Sequence, residues 1–270
     1  MLKVAFFISG VLSCMSHANA MLQVYPTRVL LTDQKKAAHL SLRLIGNKPE
    51  KYRISTVFYR MKPSGALEKV NQPTPLERPA NDLIRYSPHE VTLNPQIEQV
   101  VRILIFANKP LDEAEYRAHI YFEPIQDDIE MKSPATDKAE NVSMLLSAKI
   151  AVAVPVFFRH GKTSSKITLS QLKLLDLKSG EKAFEVKLGY QGNRFPFGDF
   201  KAIFSTQEKS DPIEIAYISG VSSYIKDRNV SFALKPPSDI NLKSGKLRLD
   251  YQEPKEDGGK LLDSIEVEIK

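Results

Sequence analysis

From Asn141 to Arg159 the sequence NVSMLLSAKIAVAVPVFFR alternates with a period of two. Val142, Met144, Leu146, Ala148, Ile150, Val152, Val154 and Val156 share one phase, while Ser143, Ser147, Lys149, Ala151, Ala153 and Pro155 fill the other, with Leu145 the one interruption. Alternate side chains of an extended chain point to opposite faces, so this segment reads as a strand with one continuously apolar face. At roughly 3.3 Å per residue it would extend about 50 Å, far beyond the usual strand of about 5 to 6 residues. Two readings fit. It is a long core strand of a sandwich, or a strand whose edge and apolar side chains are kept for another polypeptide.

The rest of the chain is patterned in the same way. Before this stretch, strand-like runs lie at Leu22–Tyr25, Arg28–Leu31, Ala37–Ile45, Tyr52–Tyr59, Leu83–Tyr86, Glu90–Leu93, Gln99–Phe106 and Tyr116–Glu123. After it they lie at Ile167–Leu177, Ala183–Tyr190, Phe200–Ser205, Ile213–Ile218, Val230–Leu234, Leu247–Gln252 and Ser264–Ile269. Pro, Gly, Asn and Asp punctuate them, and helical periodicity is almost absent. Short strands at regular spacing predict antiparallel sandwiches rather than βαβ units. Around His160-Gly161-Lys162-Thr163-Ser164-Ser165 the apolar pattern gives way to turn residues, which marks a linker. The predicted organisation is all-β, with one sandwich over 21–160 and a second over 161–270. Gln126–Asn141 is polar, acidic at Asp127-Asp128, and reads as a long loop.

The first twenty residues, MLKVAFFISGVLSCMSHANA, place a lysine before an apolar run and end in Ala18-Asn19-Ala20, a small-x-small cleavage pattern. Residues 1–20 are therefore expected to be a signal peptide, with export of a chain beginning at Met21. Cleavage before Cys14, which would leave a lipid-anchored protein, is the competing reading. Cys14 is the only cysteine, so a chain cut at Ala20 can form neither a disulfide nor a thiolate metal site. No later segment has the 18 or more apolar residues of a membrane helix. The net charge of +6 is dispersed as single Lys and Arg residues without interleaved aromatics, which argues against a nucleic-acid partner.

The sequence nominates no active site. Gly161-Lys162-Thr163 lacks the upstream glycine of a phosphate loop, because Val156 stands in its place. His39, His89, His119 and His160 are widely separated, and no Gly-x-Ser-x-Gly elbow occurs. No catalytic residue, metal or cofactor is expected.

Several short motifs follow one another through the first half. They are Tyr25-Pro26-Thr27-Arg28-Val29; Ser87-Pro88; Val91-x-Leu93-x-Pro95 ahead of Gln99-x-Val101-Arg102-Ile103; Glu115-Tyr116-Arg117 leading into Ile120-Tyr121-Phe122; and Pro155-Val156-Phe157-Phe158-Arg159. In this order the first half resembles the periplasmic chaperones of the chaperone–usher pathway, which assemble bacterial pili; the second half is similar only in length and strand character. The resemblance implies two immunoglobulin-like sandwiches set as a boomerang in the Gram-negative periplasm. Its implied function is the stabilisation of pilus subunits by donor-strand complementation, with delivery to an outer-membrane usher.

The same resemblance implies site residues. The lent strand would be the alternating stretch, inserting Val142, Met144, Leu146, Ala148, Ile150 and Val152 into a subunit's open groove. Arg28 matches an arginine that grips the subunit's terminal carboxylate. Its usual companion is a lysine at the position where this chain has Pro155, so Lys149, or else Lys162, is a substitute. Arg159 matches an arginine buried between the domains, with Glu115 as one acidic partner and Asp250 or Asp257 as another. An exposed apolar edge invites self-pairing. Either the loop Gln126–Asn141 or a self-capping homodimer would cover it until a subunit arrives. The alternative function is an exported two-domain structural or adhesive binding protein.

Overall fold

A computed structural model of the protein describes residues 21–125, 150–178, 180–206, 212–237, 240 and 242–269. The expectation of an all-β chain holds. Seventeen strands, with two short 3-10 turns, make up the described elements: β1 (Met21–Tyr25), β2 (Val29–Thr32), β3 (Ala37–Ile45), β4 (Glu50–Met61), β5 (Leu67–Val70), β6 (Ile84–Ser87), β7 (Glu90–Leu93), β8 (Gln99–Ile105), β9 (Ala114–Pro124) and β10 (Val152–His160), then β11 (Ser165–Asp176), β12 (Lys182–Gly192), β13 (Phe197–Ser205), β14 (Ile213–Ser222), β15 (Asp227–Ala233), β16 (Gly245–Gln252) and β17 (Leu261–Ile269).

The first sandwich packs a sheet in the order β1-β3-β8-β6 against one in the order β2-β10-β9-β4-β5, with β7 also pairing β4. β1 and β2 are consecutive in the chain but lie in different sheets, and the cis Tyr25–Pro26 peptide stands at the crossing. Between the sheets lie Leu31, Leu40, Leu42, Tyr52, Ile54, Val101, Ile103, Ala118, Ile120, Phe122, Val154, Val156 and Phe158. They come from alternate positions of facing strands, which is why a period-two sequence folds this way. The second sandwich sets β11-β12-β15 against β14-β13-β16-β17 around Phe184, Val186, Leu188, Phe200, Phe204, Leu247, Leu249 and Tyr251.

β9 departs from simple alternation because it is buried on both faces. Its even residues Ala118, Ile120 and Phe122 enter the first core, whereas Glu115, Arg117 and His119 of the other phase are also buried, at 0%, 2% and 3% exposure. The second sandwich covers Glu115 and Arg117 on that outer face, through Phe195 and Tyr224, while Tyr59 of β4 packs against His119. From the neighbouring strands, Leu30 and Phe157 cross the boundary and pack into the second sandwich's core. The two halves therefore meet through apolar plugs flanked by a row of buried polar groups.

Candidate functional site

β10 has two kinds of backbone environment along its length. On one side it pairs antiparallel with β9 throughout, from Val152 opposite Phe122 to His160 opposite Ala114. On the other side it pairs in parallel with β2, but only from Val156 opposite Val29 to Arg159 opposite Thr32. From Val152 to Pro155 that second edge is unpaired among the described residues. Pro155 has no N–H to offer a neighbour, so it suits the last position of an open edge. The register with β2 begins at Val156 opposite Val29, so Arg28, in the bend just before Val29, lies at the end of the pairing next to Pro155 in sequence order. A strand laid along the open edge would continue the line of β2, and its end would meet Arg28.

Side chains change along the same run. Val156 is fully buried and Val154 is 3% exposed, Val152 is half-buried, and Ile150 is 81% exposed. These residues share one phase, so the apolar face that fills the first core at one end projects past it at the other. Val142, Met144, Leu146, Ala148 and Lys149, with the loop Gln126–Asn141, lie outside the described residues.

Arg28 lies between two aromatic rings. Its guanidinium carbon is 4.5 Å from the ring centre of Phe157 on β10 and 4.0 Å from that of Phe197 on β13, a cation–π sandwich linking the two halves of the chain. Its Nε is buried without a hydrogen-bond partner. Burial lowers its pKa and the neighbouring Arg159 lowers it further, while Glu115 opposes the shift. A cavity of about 260 Å³ opens beside it, with Arg159 and Arg194 on its walls and Glu253 and Asp257 also contributing.

Glu115 ties the two sandwiches together. Its Oε2 accepts a hydrogen bond from Arg159 Nε at 2.6 Å, and its Oε1 accepts one from the backbone N–H of Phe195 at 3.0 Å. Its own N–H donates to the carbonyl of Asn193 at 2.9 Å. Asp250 is not part of this arrangement, which corrects the sequence-based expectation. On β16 its Oδ1 instead lies 3.3 Å from Arg248 Nε and accepts from Ser264 Oγ at 2.5 Å. The strand register places Asp250 opposite Ser264, so a local cross-strand partner holds it away from Arg159. Asp257 is a wall of the cavity instead. Lys162, the other substitute considered for the missing lysine, accepts through its carbonyl from Asn193 Nδ2 at 3.0 Å; its side chain is not on the cavity wall.

Two features at this boundary were not singled out by sequence reasoning. Arg117 is fully buried without a carboxylate partner among the described residues. Its cation lies 4.2 Å from the ring centres of Phe58 and Tyr224 and 5.7 Å from that of Phe195, and Nη1 donates to the Tyr59 carbonyl at 2.6 Å. Burial depresses its pKa to about 10, so it stays charged at neutral pH. His119, two residues further along β9, packs edge-on against Tyr59 with ring centres 4.9 Å apart. Burial, with Arg117 nearby, pushes its pKa down to about 3.

The second feature is Asn193, in the turn after β12. Its carbonyl accepts from Arg78 Nη1 at 2.7 Å, its Nδ2 donates to the Glu113 carbonyl at 2.6 Å, and its Oδ1 accepts from Ser164 N at 2.8 Å. Gly192 before it adopts φ +118, and a Cβ there would stand 2.3 Å from the Ser164 carbonyl oxygen, so only glycine allows this approach. The signal for both features is weak in sequence, since a single Asn in a turn and a single Arg on a strand are ordinary.

Among the described residues no His/Cys/Asp/Glu cluster could hold a metal, and no helix is long and apolar enough to cross a membrane. No protein-family model and no curated protein matches the sequence. Some solved structures are similar to the chain at TM-scores below 0.5. A chaperone–tip adhesin complex of CFA/I fimbriae biogenesis is 14% identical over 93% of this chain and 99% of that one, with a TM-score of 0.46. The class 5 fimbriae chaperone CfaA is 13% identical over the same shares, also at 0.46. The Salmonella enterica SafA pilin in complex with the SafB chaperone is 12% identical over 92% of this chain and 96% of that chain, with a TM-score of 0.43.

Proposed function

We propose that the chain is a non-catalytic assembly chaperone of the periplasmic chaperone–usher type, holding a fibre subunit by lending it the edge and apolar face of the strand that ends in β10. The observation that carries this reading is the open edge at Val152–Pro155, set in line with Arg28 and continuous with the exposed Ile150. The sequence motifs from Tyr25 to Arg159 support the same assignment.

The physics of such a complex follows from the register. A subunit strand along the open edge forms backbone hydrogen bonds, while alternate residues of the lent strand fill its groove. If the subunit strand ends in a carboxylate at Arg28, it must run toward Arg28 and hence parallel to β10. Burying Met144, Leu146 and Ile150 together with the smaller Ala148 contributes on the order of 5 to 10 kcal/mol before the costs of association. Glu115, Arg159 and Arg117 then hold the second sandwich against the first, so that the aromatic sandwich around Arg28 stays assembled. Delivery to an outer-membrane usher, export by the signal peptide and a resting homodimer belong to the same proposal.

The test is co-expression in a bacterial periplasm with a pilus subunit that lacks its own last strand. The wild-type chain is expected to co-purify with the subunit in a one-to-one complex. Leu146→Glu and Ile150→Glu are expected to abolish the complex while leaving the chaperone's circular dichroism and melting temperature unchanged. Retention of the complex in both variants would exclude the lent strand.

A further inference from the structure

Pro155 supplies no cation to Arg28, the one basic neighbour on β10 is Arg159, and a chain-terminal carboxylate is best held by two cations or by a paired fork of donors. Two further arginines, Arg159 and Arg194, line the cavity with Arg28. Arg159 is committed to Glu115 at 2.6 Å. Arg194, between Asn193 and Phe195 in the turn that leads to β13, is not committed: among the described residues its guanidinium has no ion pair and no side-chain hydrogen bond. Its backbone is fixed, since its N–H donates to the Ser164 carbonyl at 3.1 Å and both flanking residues are bonded to the first sandwich through Glu115 and Arg78. The turn therefore presents Arg194 from the second sandwich to a cavity that Arg28 enters from the first.

We propose that Arg194 is the second cation of the carboxylate site, supplied by the second sandwich in place of a lysine on the lent strand. This rests on the strand-lending reading and deepens it. It gives the interdomain contact a binding role, because the two guanidinium groups share a ligand only while Glu115 and Asn193 hold the sandwiches together. Glu253 and Asp257, also on the cavity walls, set the specificity. A terminal residue with an acidic side chain is repelled there, and one with a hydroxyl, amide or ammonium group is accepted.

A short synthetic peptide of alternating valine and threonine, prepared with a free carboxylate, as its C-terminal amide, or ending in glutamate, is the probe, with binding to the chain read by calorimetry. The free carboxylate is expected to bind about tenfold more tightly than the amide, the value of about one charge-assisted hydrogen bond, and the glutamate-ended peptide more weakly than the threonine-ended one. In Arg194→Gln the preference for the free carboxylate shrinks toward that of Arg28→Gln, and Arg194→Lys restores most of it. An undiminished preference in Arg194→Gln overturns the role of Arg194 while leaving strand lending intact. Equal binding of acid and amide by the wild type overturns the carboxylate site, and binding of none of the peptides overturns both readings.

Discussion

Replacing Glu115 by alanine tests how the two sandwiches are joined. The carboxylate is fully buried, accepts from Arg159 Nε at 2.6 Å and accepts from Phe195 N at 3.0 Å. Breaking a buried ion pair on one side typically costs about 3 to 5 kcal/mol, because the remaining charge is left uncompensated. The Arg159 side chain is 25% exposed, so water relieves part of this and the lower end, about 3 kcal/mol, applies. The orphaned Phe195 N–H adds about 1 kcal/mol or more, giving a total of about 4 kcal/mol for Glu115→Ala. Glu115→Gln keeps an oxygen for Phe195 but removes the charge, and about 2 kcal/mol is expected. Equilibrium urea denaturation followed by tryptophan-independent far-ultraviolet circular dichroism reads the loss. Because this group bridges the sandwiches, Glu115→Ala is also expected to split one cooperative transition into two. A loss below about 1 kcal/mol with a single transition would refute the account of the joint.

Two further outcomes follow from the same boundary. His119 is held neutral in the folded protein down to a pKa of about 3, below its ordinary 6.5, so between these values the unfolded chain binds the extra proton. Stability is therefore expected to fall as pH drops through that window, by up to about 1.4 kcal/mol per pH unit from this residue. His119→Phe should flatten the slope in acid denaturation curves; an unchanged slope would show that another group carries it. Gly65, in the turn between β4 and β5, has φ +86, and a Cβ there would lie 2.4 Å from the Arg228 guanidinium of the second sandwich. Gly65→Ala is expected to cost about 1 to 2 kcal/mol from the left-handed backbone and to loosen the bond from Asn229 N to the Pro63 carbonyl, seen as faster amide exchange at Asn229. Full protection there would refute the contact.

Strands were legible in the sequence because alternation is a local property. Ala37–Ile45 and Glu90–Leu93 were placed to the residue, and the other short predicted runs each correspond to an observed strand, whereas of the long run Asn141–Arg159 the strand begins at Val152 among the described residues. β5 was not foreseen, since Leu67-Glu68-Lys69-Val70 is short and half charged, and its place comes from pairing with the far end of β4. The site was legible only where a motif carried it. Alternation says that Glu115, Arg117 and His119 share a face, but not that the second sandwich covers Glu115 and Arg117 on it. For the same reason Arg194 and Asn193 carried no signal, and Asp250 drew attention through its charge although its cross-strand neighbours Arg248 and Ser264 engage it. Contacts between sandwiches depend on which turns meet, and period-two patterning is silent on that.

Amide hydrogen exchange along the strand that ends in β10, compared with and without a bound pilus subunit, tests the lent edge most directly. Free protein is expected to show rapid exchange for the amides of Ile150–Val154 that point away from β9, and slow exchange from Val156 to Arg159, where β2 and β9 close both sides. On subunit binding the fast amides should become protected, with the gain ending at Pro155. Protection that appears elsewhere on the surface while Ile150–Val154 stays fast would contradict the central claim.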